Sequence, residues 1–155
     1  MPKPTDTAKW NYMFSDDIKF VQKVIIFHPD QAENFLTLQR SSDSASNSDK
    51  WDFAGGNVLY GQNAMDSLAS EIIEETGISD YSEPLPIHIL GNMLDDRGIY
   101  QIYIGYCCTA ITSEVKISHE HQDYRWVDIE EFLELDANPL LKETVSKLSQ
   151  YKKLS

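Results

Sequence analysis

Residues 55–78, GGNVLYGQNAMDSLASEIIEETGI, constrain the fold of this chain more than any other stretch. Gly55 and Gly56 supply a turn where backbone can approach closely or take positive φ. Asn63 reads as a helix N-cap, with Asp66 three residues on as a capping-box-like partner. Gly77 is placed to end the helix in the left-handed conformation, and Ile78 follows as its apolar contact. Between these signals the spacing predicts a helix over 64–76. Glu71, Glu74 and Glu75 stand at i, i+3 and i+4, so their carboxylates project from one face. Met65, Leu68, Ala69, Ile72 and Ile73 fall on the other side, toward a core. Clustered carboxylates repel one another, and a hard divalent cation such as Mg²⁺ or Mn²⁺ would neutralise them through oxygen ligands. A Glu-rich helix face alone is more often a solvated surface. The glycine turn and the two caps set this one apart.

The combination resembles the Nudix box, Gly-x5-Glu-x7-Arg-Glu-U-x-Glu-Glu-x-Gly-U, where U is a bulky aliphatic residue. Gly56 matches the leading glycine, and Glu71, Ile72, Glu74, Glu75, Gly77 and Ile78 match the tail at the required spacings. Two positions depart: Gln62 stands for the first Glu and Ser70 for the Arg. The resemblance implies an α/β chain with the Nudix fold, an α/β/α sandwich around a mixed β-sheet. It also implies a Mg²⁺-dependent hydrolase (Mn²⁺ being the other candidate) that cleaves the diphosphate linkage of a nucleoside diphosphate joined to another group. Nucleoside triphosphates and nucleotide sugars are both admissible. By the same resemblance Glu74 and Glu75 are metal ligands, and Glu71 is a ligand or the catalytic base. Gly56 and Gln62 lie beside the substrate.

Gln62 keeps length and hydrogen bonding but cannot carry charge. Ser70 removes the family's ion-pair partner for a neighbouring Glu, a loss that typically costs about ten- to a hundredfold. Lys23 is a candidate substitute cation. The rival reading is a non-catalytic nucleotide- or metabolite-binding regulatory module. Gln62 and Ser70 favour it, and the three retained carboxylates oppose it.

A second acidic stretch, SHEHQDYRWVD over 118–128, resembles the loop that carries a base or extra ligand in many Nudix proteins. Glu120 is the candidate there and His121 the next. For phosphate the chain offers three arginines, Arg40, Arg97 and Arg125. Arg40 ends a strand beside the site, and Arg97 sits in the turn 95–98. Trp51, Phe53 and Tyr60 could stack on a base, although buried aromatics are commoner than stacking platforms.

A chain of 155 residues is expected to form a single domain. Its net charge of −12 disfavours long nucleic acid, which needs Lys and Arg to displace counterions, but not a small nucleotide bridged through metal. No apolar run is long enough to span a bilayer, and 1–10 lack a secretory h-region, so cytoplasmic residence is expected. Residues 1–16 carry Trp10, Tyr12 and Phe14 and read as an arm packed on this domain or on the partner of a homodimer. Cys107 and Cys108 are strand neighbours that point to opposite faces, which excludes an unstrained disulfide.

Strands are expected over 18–28, 35–39, 58–60, 87–93, 99–110 and 124–127. Helices are expected over 129–135 and from Pro139 onward. The segment 41–49, SSDSASNSD, buries too little apolar surface to order itself and is expected to be a mobile loop.

Overall fold

The computed structural model describes residues 17–94 and 98–154, the last four by backbone alone. The arm 1–16 and Arg97 lie outside the described residues. Among the described residues seven strands form one mixed sheet: β1 (Ile18–Phe27), β2 (Phe35–Arg40), β3 (Trp51–Asp52), β4 (Ala54–Asn57), β5 (Leu85–Leu94), β6 (Ile99–Thr109) and β7 (His121–Val127). Three helices accompany them: α1 (Ala64–Thr76), α2 (Ile129–Glu134) and α3 (Pro139–Leu154). The sheet runs β3-β2-β1-β6-β5, with β4 paired to β1 and β7 to β2. β1 and β6 are parallel, from Ile18↔Tyr100 to Phe27↔Thr109, and the other strand pairs are antiparallel. This is the mixed α/β sheet expected of the Nudix fold.

Period-two alternation along β1 divides the core. Val24 and Ile26 join Leu68, Ile72 and Ile78 under α1. Ile25 joins Phe35, Phe53, Phe132 and the α3 residues Leu141, Val145 and Leu148 on the opposite face. Cys107 and Cys108 face opposite clusters and remain free thiols.

β1 also carries the split that makes the site. Its C-terminal end pairs with β2 at Phe27↔Phe35, while its middle pairs with β4 from Val21↔Asn57 to Val24↔Ala54. The two partners diverge from one strand and leave a cleft between them.

Several boundaries differ from the expectations. The strand anticipated at 58–60 ends earlier, at Asn57, and 60–61 form a turn. β7 begins at His121 rather than 124 because it pairs along β2 as far as Arg40, past a register shift. β5 begins at Leu85 and contains Pro86, tolerated because β5 is the sheet edge and the register shifts there.

The loop 41–49 is not loose. Arg40 donates from Nε to the Ser46 carbonyl (3.1 Å) and from Nη2 to Ser44 Oγ (2.8 Å). Asp49 accepts from Ser42 Oγ (2.6 Å) and Gln122 Nε2 (2.8 Å). Order comes here from hydrogen bonds, which a reading of apolar content does not register.

Candidate active site

α1 starts and stops where its caps dictate. Asn63 Oδ1 accepts from the Met65 and Asp66 amides at 3.0 and 3.1 Å. Gly77 takes φ 72° and returns its N–H to the Ile73 carbonyl. The buried face differs from the expected one: Leu68, Ile72, Glu75 and Thr76 are buried, whereas Met65, Ala69 and Ile73 are exposed. The helix is turned so that one carboxylate points inward. Glu75 is 5% exposed, Glu71 half-buried and Glu74 exposed, a gradient set by their successive angular positions around the helix.

The glycine pair explains how a carboxylate can go inside. Gly55 takes φ 139°, and a Cβ there would stand 2.0 Å from the Gln22 carbonyl oxygen. No other residue fits, and the close approach aims the Gly55 N–H at Glu75 Oε2, 3.2 Å away. A Cβ on Gly56 would meet the Glu71 carboxyl carbon at 3.3 Å, so the bare α-carbon makes the room that Glu71 fills.

These groups open into a cleft of about 380 Å³ that also takes in Lys23, Arg40, Asp52 and Glu120. Burial pushes the Glu75 carboxyl up to about 9; repulsion from Glu71 and Asp52 adds to this, and Lys23 and the Gly55 amide oppose it. Burial also raises Glu71, reinforced by Glu74 and Glu120 and opposed by a hydrogen bond with Glu75 and by Lys23. Both carboxyls are thus held toward the protonated form. Among the described residues no three His, Cys, Asp or Glu side chains converge as a ready-made cage for an ion. The donor chemistry still suits one: an excess of buried acid whose charge the protein itself offsets only in part favours a hard cation in place of a bound proton.

Cations line the facing wall. Lys23 Nζ donates to Asp52 Oδ2 at 3.0 Å and to the Phe53 carbonyl at 3.4 Å. Arg40 Nη1 stands 3.6 Å from the same Asp52 oxygen. Burial lowers the pKa of His121, whose two ring nitrogens have no hydrogen-bond partner. The remainder of the cleft mixes apolar walls (Val21, Tyr103, Leu140, Leu141) with the amides of Asn47, Gln101 and Asn138.

Of the residues anticipated from sequence, the structure brings Glu71, Glu75, Glu120, Gly56 and Arg40 to this one cleft. Glu74 is exposed but near enough for its charge to act on Glu71. Gln62 lies outside the cleft lining; its Oε1 accepts from the Leu59 amide at 2.8 Å and closes its own turn. Ser70 is exposed. Among the aromatic candidates, Trp51 lines the cleft with the Arg125 guanidinium 4.6 Å over its ring. Phe53 is core, stacked on Phe132, and Tyr60 is fully exposed outside the cleft. Sequence reasoning missed Asp52. An acid inside the short apolar run before the two glycines was the available signal.

Comparison with known proteins agrees with this fold. The NUDIX domain family model matches residues 19–148. Nucleoside triphosphatase NudI of Escherichia coli O17:K52:H18 is 28% identical over 120 residues, covering 72% of this chain and 84% of that one. A MutT protein from Methanosarcina mazei Go1 superposes with TM-score 0.75 at 26% identity, over 91% of this chain and 99% of that chain. A C. elegans Ap4A hydrolase shares the fold with TM-score 0.71 at 18% identity, over 88% and 99%. The family match and the fold are those of a Nudix-type pyrophosphohydrolase. The chain belongs to the NUDIX domain family.

Proposed function

We propose that this chain is a divalent-metal-dependent hydrolase that cleaves the diphosphate linkage of a small nucleotide, with nucleoside triphosphates the first class to test and nucleotide sugars the second. The observation that carries the reading is the buried Glu75, held by the Gly55 amide beside Glu71 and opposite two cations. The 28% likeness to a nucleoside triphosphatase supports the choice of triphosphates. The apolar and amide-bearing remainder of the cleft supports a substrate with a base and sugar as well as phosphates.

Glu71, Glu74 and Glu75 would hold Mg²⁺ or Mn²⁺. Bound there, the ion would neutralise phosphate oxygens and acidify water. Gly55 fixes the orientation of Glu75, and Gly56 leaves space for Glu71. Lys23 and Arg40 present positive charge toward phosphate oxygens, where charge accumulates as the phosphorus–oxygen bond to the leaving group breaks. Glu120 is the candidate base, accepting the proton of the attacking water. The departures at Gln62 and Ser70 lie outside the cleft lining, and Glu71 and Glu75 within it support turnover over a binding-only module. Cytoplasmic residence and a homodimer belong to the same proposal.

The test is nucleotide and phosphate release from nucleoside triphosphates, sugar nucleotides and dinucleoside polyphosphates, with Mg²⁺, with Mn²⁺ and with chelator. Metal-dependent turnover of one class is expected. Binding of these ligands with no turnover of any would overturn the hydrolase in favour of the binding module.

A further inference from the structure

The loop 41–49 and the segment carrying Glu120 are joined by hydrogen bonds whose centre is Asp49. Its Oδ1 accepts from Ser42 Oγ at 2.6 Å and from Gln122 Nε2 at 2.8 Å; Ser42 Oγ also lies 3.0 Å from Gln122 Oε1, a second acceptor for its single proton, and the shorter bond to Asp49 takes it. The Asp49 main chain is also engaged: its N–H donates to the Arg40 carbonyl (3.2 Å), and its carbonyl accepts from Gln39 Nε2 (3.0 Å). Asp49 sits at φ 65°, a left-handed conformation that Asp tolerates better than most residues.

The bonds to Asp49 tie down two things that meet the cleft. On one side are Ser46 and Asn47, which line it. On the other is Glu120, whose carbonyl accepts from the Ser41 amide at 3.0 Å, while Ser41 Oγ donates to the neighbouring His119 carbonyl at 2.8 Å. Glu120 lines the same cleft, and its charge acts on Glu71. Single exposed hydrogen bonds contribute little, but bonds to an ionised acceptor are shorter and stronger, and here two of them converge on one oxygen. The two donated bonds hold the Asp49 carboxyl below its ordinary value, as ionisation of the acceptor requires.

We propose that Asp49 is a positioning residue for Glu120: through Gln122, Ser42 and Ser41 it fixes the segment 118–122 against the 41–49 loop, so that the Glu120 carboxylate faces the acid-lined end of the cleft. This rests on Glu120 serving as base in the proposed hydrolase. The loop is then part of the catalytic frame rather than a surface insertion.

Asp49→Gly removes the carboxylate while keeping positive φ free of strain, Asp49→Asn keeps an acceptor, and Gln122→Ala removes the donor that reaches Asp49 from the other segment. Each is assayed with the nucleoside triphosphate that the wild type turns over fastest, together with Glu120→Gln and the double variant. Thermal melts confirm folding. Asp49→Gly is expected to lower kcat about tenfold, Gln122→Ala by a similar factor, and Asp49→Asn to retain most activity. In the Glu120→Gln background the Asp49→Gly change should cost no further kcat. In metal-free protein, hydrogen exchange at the Ser41 amide should accelerate in Asp49→Gly and Gln122→Ala.

Unchanged kcat in Asp49→Gly, an equal loss in the Glu120→Gln background, or undiminished Ser41 protection each overturns the inference alone. Full activity in Glu120→Gln overturns the reading of Glu120 as base and this inference with it.

Discussion

Replacing Glu75 by Gln should stabilise the metal-free protein while abolishing turnover. In the folded chain the carboxyl keeps its proton up to about 9, whereas the unfolded chain releases it near 4.5. Between those values the folded state binds more protons than the unfolded one, so the stability of the wild type falls as pH rises through that window. At pH 7 the cost of holding the proton is about 3 kcal/mol. Gln carries no such proton, has nearly the same volume, and keeps an oxygen for the Gly55 amide. For a chain of this size the gain corresponds to about 6–12 °C in Tm. The assay is a series of thermal melts from pH 5 to 9 in chelator, repeated with Mg²⁺. The gap between variant and wild type should be small at pH 5 and widen toward pH 9. Mg²⁺ should raise the Tm of the wild type and not of the variant. A variant that melts at or below the wild type at neutral pH, with a gap that does not grow with pH, would refute the reasoning: Glu75 would then not be a strained internal acid waiting for a cation.

The two glycines should separate function from folding. Gly55→Ala forces a Cβ to within 2.0 Å of a backbone oxygen and is expected to destabilise by more than about 3 kcal/mol, read by denaturant melt. Gly56→Ala meets only the movable end of Glu71, so its melt should stay within about 1 kcal/mol of wild type while kcat falls about tenfold; equal effects of the two on stability would contradict this division. Ser70→Arg, which restores the family residue, should change kcat/KM by less than about fivefold, because position 70 is exposed and the cleft already holds Lys23 beside the two acids. A large gain would mean that the missing arginine limits the enzyme.

What could be read from sequence followed locality. The helix caps at Asn63 and Gly77, the long strands β1 and β6, and the spacing of Glu71, Glu74 and Glu75 are local patterns, and they lie where the residues predicted. The rotation of α1 was not local. Periodicity placed Met65, Ala69 and Ile73 inward, but the approach of Gly55 to the Gln22 carbonyl draws the Glu75 side of the helix against the sheet instead. β3 and β4, two and four residues long, are too short to show alternation. Asp52 acquires meaning only once β1 and β2 bring Lys23 and Arg40 to it from twenty-nine and twelve positions away in the chain. The serine-rich 41–49 segment was misread because composition measures apolar burial, and this loop is held by polar ties.

The same contacts that make the cleft acidic make it costly to fold. A buried carboxyl beside a second one, with one lysine shared between Asp52 and the pair, is not an arrangement that stability alone would favour. A solvated helix face needs neither the Gly55 conformation nor the space at Gly56, and would leave Glu75 outside with Glu74. The chain instead spends two glycines on drawing acids into a cleft that faces cations, and a binding-only module would gain nothing from the strain unless it too held a metal. In the proposed hydrolase the placement of Glu75 would tie metal binding to folding energy, and metal-dependent stability and metal-dependent turnover should be lost together when that one carboxylate is neutralised.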